Sequence, residues 1–270
     1  MLCYIFLALS VLLSVLIVLL TEIAFWWAIP IFIGIFVVIN PLYFCLLWVS
    51  TIFLPKKDPI DKPLKWIYFM IWFSTDWLMT LLRVKVRLNG MDRFPTEPFV
   101  LVSNHLSNFD PIAVLCKVKK RKIAFISKPS NFKIPVAGAY VHNAGFLAID
   151  RENAMSALRT LKRAGEMMNR EEMIMGIYPE GTRSKSGELL EFKEGAFLLA
   201  KRANAPIVVM STRGTNQIAH RMFIHKTRVD MNVLDVIDRE TVKALPLSEL
   251  AQRVRATIEA DLAAESETEK

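Results

Sequence analysis

His105 and Asp110 stand five residues apart in the segment Asn104-His105-Leu106-Ser107-Asn108-Phe109-Asp110, directly after the apolar run Phe99–Ser103. A neutral imidazole is a base near neutral pH. A carboxylate on its other nitrogen fixes the tautomer and stabilises the imidazolium that forms. The chemistry suited to such a pair is abstraction of a proton from an alcohol. On an ideal helix, residues five apart diverge, so the chain must turn between them for the side chains to meet. Asp110 followed by Pro111 also reads as an N-cap with proline at the first helical position. One carboxylate can do both, since capping leaves its second oxygen free.

A second cluster follows the apolar run Met173–Tyr178: Pro179-Glu180-Gly181-Thr182-Arg183-Ser184. Gly181 permits a positive φ or a close approach of backbone to ligand. Thr182 offers a hydroxyl, and Arg183 a rigid fork of donors matched to phosphate oxygens. Glu180 is suited to holding that arginine or a substrate hydroxyl.

The elements that must position these residues alternate between strand and helix. Arg83–Leu88 alternates basic and apolar side chains, as a half-exposed strand does, and Asn89–Gly90 ends it. Phe99–Ser103, Lys122–Ser127, Met173–Tyr178 and Pro206–Ser211 read as buried strands, and a strand pair is expected between Phe223 and Ile237. Pro111–Val118, Asn153–Asn169 (with Asn153 as N-cap) and Leu247–Ala263 read as helices, with Glu265–Lys270 frayed. This order implies an α/β domain over residues 83–264 whose sheet is covered by helices. Both motifs then leave strand carboxyl ends, where open α/β sheets bind ligands.

Ahead of that domain, residues 1–54 hold one charged side chain, Glu22. Leu2–Leu20 is close to the roughly 20 apolar residues that cross a bilayer. A second apolar run reaches Leu54, interrupted by Pro30 and Asn40–Pro41. The segment lacks the basic start and small-residue cleavage site of a signal peptide. We expect a transmembrane helical hairpin, Leu2–Leu20 and about Phe25–Trp48, with one span plus a re-entrant segment as the alternative. Lys56, Lys57, Lys62 and Lys65 follow, which puts the rest of the chain in the cytoplasm. Residues 55–82 form a proline-punctuated linker and an aromatic-rich stretch with Trp66, Trp72 and Trp77. Asp76 makes that stretch costly as a span, so an interfacial helix or helix pair is expected.

The net charge of +8 and pI near 9.4 suit an anionic membrane surface or phosphorylated substrates. Nothing resembles a nucleic-acid-reading motif, so nucleic acid is not an expected partner. Cys3, Cys45 and Cys116 form no CxxC or CxxH pattern. They read as buried small hydrophobes in a reducing compartment, without disulfide or zinc.

Together the two motifs resemble those of the 1-acyl-sn-glycerol-3-phosphate (lysophosphatidic acid) acyltransferase family and the wider glycerolipid acyltransferases. The N-H-x-S-x-x-D block is present as Asn104, His105, Ser107 and Asp110, and the E-G-T-R block as Glu180 to Arg183. Lys128…Phe132-Lys133-Ile134-Pro135…Gly138, Gly145-Phe146…Ile149-Asp150-Arg151, Phe192–Ala196 and Ala205–Val208 resemble further blocks, in the family's order, over about Val84 to Ile218. Ala148 stands where many members carry a bulkier residue or proline. A second departure is that no second proline follows Ala205-Pro206.

The resemblance implies a glycerolipid acyltransferase-like α/β fold and a direct transfer. His105 would deprotonate the free hydroxyl of a lysophospholipid, which attacks an acyl thioester, with Asp110 orienting the histidine. Glu180, Gly181, Thr182 and Arg183, helped by Arg151 and Lys128, would bind the phosphate-bearing acceptor. It implies acyl-CoA or acyl carrier protein as donor, membrane phospholipids as surroundings, and no metal or tightly bound cofactor. Glycerol 3-phosphate or another lysolipid as acceptor remains open. A serine hydrolase is disfavoured by the lack of a G-x-S-x-G elbow. A non-catalytic lipid-binding protein is disfavoured by the intact motif residues.

Overall fold

Two apolar helices open the chain, α1 (Leu2–Thr21) and α2 (Ala28–Ser50), joined by a short 3-10 turn at Phe25–Trp27. Both are long and apolar enough to cross a membrane. The computed structural model describes residues 2–56, 60, 62–119, 121–184 and 186–268. Lys57 of the basic cluster, most of the interior of the linker and the last two tail residues therefore lie outside the described residues.

The prolines do not interrupt α2. Pro30 falls in its first turn, where no intrahelical donor is needed, and the helix runs through Pro41. Asn40 beside it is used twice: its amide donates to the Phe36 carbonyl at 2.6 Å, and its oxygen accepts the Trp77 indole N–H at 2.9 Å. Of the cysteines, Cys116 is buried as expected. Cys45 is exposed on the apolar outer face of α2.

The aromatic stretch forms one helix, α3 (Lys65–Leu81), rather than a pair. It buries Ile67, Ile71 and Met79 and lies between the hairpin and the sheet domain. Tyr43 of α2 bonds Ser74 at 2.8 Å, and Tyr68 donates to the Ala144 carbonyl at 2.7 Å, so α3 ties the two parts together.

Among the described residues seven strands follow: β1 (Val84–Asn89), β2 (Val100–Ser103), β3 (Ile123–Ser127), β4 (Leu147–Ala148), β5 (Ile174–Ile177), β6 (Ile207–Arg213) and β7 (Thr227–Ile237). The remaining helices are α4 (Phe109–Lys117), α5 (Ala137–Asn143), α6 (Ala154–Glu171), α7 (Leu198–Ala203), α8 (Ile218–Arg221), α9 (Arg239–Ala244) and α10 (Leu247–Thr268). The sheet order is β1-β7-β6-β2-β5-β3-β4, parallel throughout except between β6 and β7. Every residue of β2 and β5 is buried, as in strands covered on both faces.

Two expectations are corrected, and one strand comes without any. The segment after Phe223 is one long strand, β7, because its partners are β1 and β6 and no turn divides it. The two-residue edge strand β4 carries no sequence pattern of its own and was not anticipated. Helix α10 continues to Thr268, past the expected frayed point. The N-cap at Asn153 is present, its side chain accepting from the Ser156 amide at 3.0 Å.

Candidate active site

The chain leaves β2 at Ser103, and the next residue holds the exit in place. Asn104 is buried and pairs with Thr212 of β6 as a peptide group would: its amide donates to the Thr212 carbonyl at 2.9 Å, and its oxygen accepts the Thr212 amide at 2.8 Å. The sheet's hydrogen bonding is thus extended by a side chain while the backbone turns away. His105 follows, fixed at the carboxyl end of the strand.

Asp110 does not cap α4. Asn108 occupies the N-cap, and Asp110 and Pro111 lie in the first turn. The Asp110 carboxylate instead reaches back into the loop it follows. Its Oδ2 accepts the Leu106 and Ser107 amides, both at 2.8 Å, and faces His105 Nδ1 at 2.7 Å. Its Oδ1 accepts the Thr215 hydroxyl. Asp110 is completely buried, whereas the His105 side chain keeps 15% of its surface exposed. Four donors thus satisfy the acceptor oxygens of this buried carboxylate. Since Asp110 is the acceptor, Nδ1 carries the hydrogen and Nε2 is left with its lone pair.

The second motif grips the first. Glu180 is buried; its Oε1 accepts the His105 backbone amide at 2.6 Å and its Oε2 the Leu190 amide at 3.2 Å. The Ser184 amide donates to the His105 carbonyl at 2.8 Å. Glu180 is therefore a clamp between two loops, both of its oxygens accepting backbone amides. Burial, the largest effect, raises its pKa above 4.5, against the lowering effect of those two amides.

The ring of Tyr178 stacks on that of His105, centroids 4.3 Å apart and planes 14° from parallel. Phe125 of β3 stacks behind Tyr178 at 5.6 Å. Gly176 makes room for this column, because a Cβ there would fall inside the Phe125 ring. The Tyr178 hydroxyl is buried without a hydrogen-bond partner among the described residues, and burial pushes its pKa well up. Sequence reasoning missed Tyr178, Thr215 and the pairing role of Asn104. A glycine inside a buried strand was the one available signal, since it marks a close approach.

The remaining expected residues line the same edge. In the order β2-β5-β3-β4, the strand ends carry His105, then Gly181–Arg183, then Lys128, then Arg151. With neighbours about 4.8 Å apart, the Lys128 strand lies about 10 Å and the Arg151 strand about 14 Å from that of His105. Thr182, Arg183, Lys128 and Arg151 are exposed. Gly181 takes φ +69°, and Lys193 lies over it, with its Nζ 3.2 Å from where a Cβ would be. Lys193 is a further exposed cation at this turn.

Residues 85–213 match the Acyltransferase family model. The chain is 31% identical over 175 residues to the 1-acyl-sn-glycerol-3-phosphate acyltransferase alpha of Bos taurus, covering 64% of this chain and 61% of that protein. It is 35% identical over 143 residues to the human beta enzyme, covering 52% and 51%, and 28% identical over 195 residues to the Saccharomyces cerevisiae enzyme, covering 71% and 63%. The matches therefore span about half to three fifths of those relatives' lengths. The crystal structure of the 1-acyl-sn-glycerophosphate acyltransferase PlsC from Thermotoga maritima superposes with a TM-score of 0.64 at 23% identity. It covers 83% of this chain and 89% of that one, a likeness of fold. With the motif residues of its sequence gathered at one edge of such a sheet, residues 85–213 are similar to the acyltransferase family in sequence and in fold.

Proposed function

We propose that this protein transfers a fatty acyl group from an acyl thioester to the free hydroxyl of lysophosphatidic acid, forming phosphatidic acid. The observation that carries the reading is the His105–Asp110 pair, 2.7 Å apart, with a buried and fully engaged carboxylate beside a cation-bearing turn. His105 Nε2 takes the hydroxyl proton as the oxygen attacks the thioester carbonyl. The tetrahedral intermediate then collapses, the C–S bond breaks, and the imidazolium returns the proton to the departing thiolate. The products are an ester and a free thiol. Asp110 holds the ring and stabilises the imidazolium.

A covalent acyl-enzyme has little support. Cys116 is buried, and burial pushes its thiol up to about 12. Arg183 is the foremost phosphate ligand, with Lys193, Lys128 and Arg151 as further cations along the same edge. The donor is acyl-CoA or acyl carrier protein.

The hairpin is read as the membrane anchor, with the catalytic domain in the cytoplasm. A reporter fused after Lys270 should then be cytoplasmic; an external readout would strand the site away from either donor and reject this topology. The decisive assay offers purified protein a panel of lysolipids, glycerol 3-phosphate and both thioesters. Lysophosphatidic acid should give the highest kcat/KM. A clear preference for an acceptor without a phosphomonoester would overturn the substrate assignment.

A further inference from the structure

The turn before β7 presents Met222, Phe223 and Ile224 to the outside, 38%, 58% and 70% exposed. This is a braced structure. The Met222 amide donates to the carbonyl of buried Ile218 at 2.8 Å, and the His225 amide to Arg221 at 2.9 Å. Arg83 Nη1 donates to the carbonyls of Ile224 at 3.1 Å and Phe223 at a longer 3.5 Å. Phe223 itself sits at φ +69°, a conformation that side chains rarely adopt. Three consecutive large apolar residues are thus held outward. Around them Arg221 and Lys226 are exposed, Arg228 pairs with Asp230 at 2.5 Å, and no Asp or Glu occurs from Gly214 to Val229.

The fold decides which way this tip points. Since β7 runs antiparallel to β6, the start of β7 lies at the carboxyl edge of β6 and β2, the edge that bears His105. The start of β7 also lies beside the start of β1 at Val84, which follows Arg83 and comes three residues after the end of α3. The bonds Asn40–Trp77 and Tyr43–Ser74 make α2 antiparallel to α3. The rest of the hairpin therefore leads past the same end of α3. The 12 residues from Asn40 back to Ala28 reach about 18 Å from the Trp77 level, against about 6 Å for the remainder of α3. Hairpin tip, apolar turn and catalytic edge share one end of the molecule.

We infer that Met222–Ile224 is a second membrane contact, a wedge that enters an anionic lipid surface and sets the catalytic edge against it. Apolar residues flanked by the cations Arg221 and Lys226 suit the boundary between acyl chains and acidic headgroups. Three side chains fall far short of the surface that a stable protein interface buries, whereas a bilayer requires no matching shape. The inference rests on the reading of α1 and α2 as membrane helices, and the test separates the two.

Full-length protein, with Cys3, Cys45 and Cys116 changed to alanine, is reconstituted in vesicles of phosphatidylcholine with about one third phosphatidylglycerol. A nitroxide is attached in turn at Leu19→Cys in the hairpin, Phe223→Cys, Ile224→Cys, and Glu240→Cys at the opposite end of the sheet. Collisions with oxygen and with a water-soluble nickel chelate are then compared. Residues 223 and 224 should shift from the aqueous ratio of residue 240 toward the lipid ratio of residue 19. Aqueous ratios at both 223 and 224, with a lipid ratio at 19, would overturn the wedge while leaving the hairpin intact. An aqueous ratio at 19 would instead reject the hairpin reading, whatever the turn reports. Using both positions in the turn guards against one label disturbing the Phe223 backbone.

Discussion

The two halves of the site are built in opposite ways. Around His105, almost every group is engaged: the imidazole by Asp110 and Tyr178, its backbone amide by Glu180, its carbonyl by Ser184. Across the edge, Arg183, Lys128, Arg151 and Lys193 are exposed on loops. In the proposed reaction His105 as base must hold one geometry, and small misplacements of a reacting group are expensive. Cations awaiting a phosphate gain from remaining hydrated until the ligand arrives, because burying them unpaired would cost several kcal/mol each. On the proposed function, the acid–base half is preorganised, and the phosphate half would be completed by its substrate.

Breaking the preorganised half should have the largest effect. His105→Ala should lower turnover by about 10²–10⁴-fold, the range of a general base, while the protein keeps its fold by circular dichroism. Asp110→Asn should be similarly severe. It should also lower the melting temperature, because an amide nitrogen would replace an acceptor among donors from Leu106, Ser107 and Thr215. A folded His105→Ala enzyme with near-normal transfer would remove the proposed base.

The exposed half should respond differently. Arg183→Lys keeps the charge but loses the fork of donors. It should mainly raise KM for the lysophospholipid, by about 10-fold if one charge-assisted hydrogen bond worth about 1.4 kcal/mol is lost. KM for the thioester should move much less. A rise confined to the thioester would move this arginine to the donor site.

Glu180 sharpens the contrast because its two oxygens tie together the loops of both halves. Its folded-state pKa is raised above 4.5 by burial, so the native state binds its proton more tightly than the unfolded chain does. This contribution to stability is therefore full below about the usual carboxylate pKa and is lost as pH rises through the raised folded value. In Glu180→Gln that slope should disappear in denaturation measured across this window. Turnover should fall, since an amide cannot accept from both His105 and Leu190. Unchanged pH dependence would mean that Glu180 is not the buried clamp described.

The smallest effect is expected at Tyr178. Tyr178→Phe keeps the ring on His105 and removes a hydroxyl buried without a partner, so turnover should hold and the melting temperature stay level or rise. Tyr178→Leu removes the stack, and kcat should drop with little change in either KM. Equal kcat in the two variants would deny the ring a positioning role.

Much of this was legible before any coordinates. The apolar runs gave four of the seven strands nearly to the residue, and the alternation in Arg83–Leu88 gave β1, because burial imposes period and composition on a strand. The H-x4-D and E-G-T-R blocks were visible because chemistry restricts residue type. What stayed hidden depends on partners distant in sequence. β4 is two residues long and exists only because Ile126 and Ser127 pair with it. The unity of β7 follows from its neighbours β1 and β6.

The sequence by itself determined which residues could abstract a proton or meet a phosphate, and that an apolar hairpin precedes an α/β domain. Those are matters of side-chain chemistry and local periodicity. Only the tertiary structure decided what Asp110 and Glu180 do with their second oxygens, since Thr215 and Leu190 reach them through the fold. It also decided that Gly176 serves His105 by way of Phe125 and Tyr178. The physical reason is common to all of these: a buried polar or aromatic group needs a partner, and the sheet's strand order, which no local pattern encodes, chooses which partner it meets.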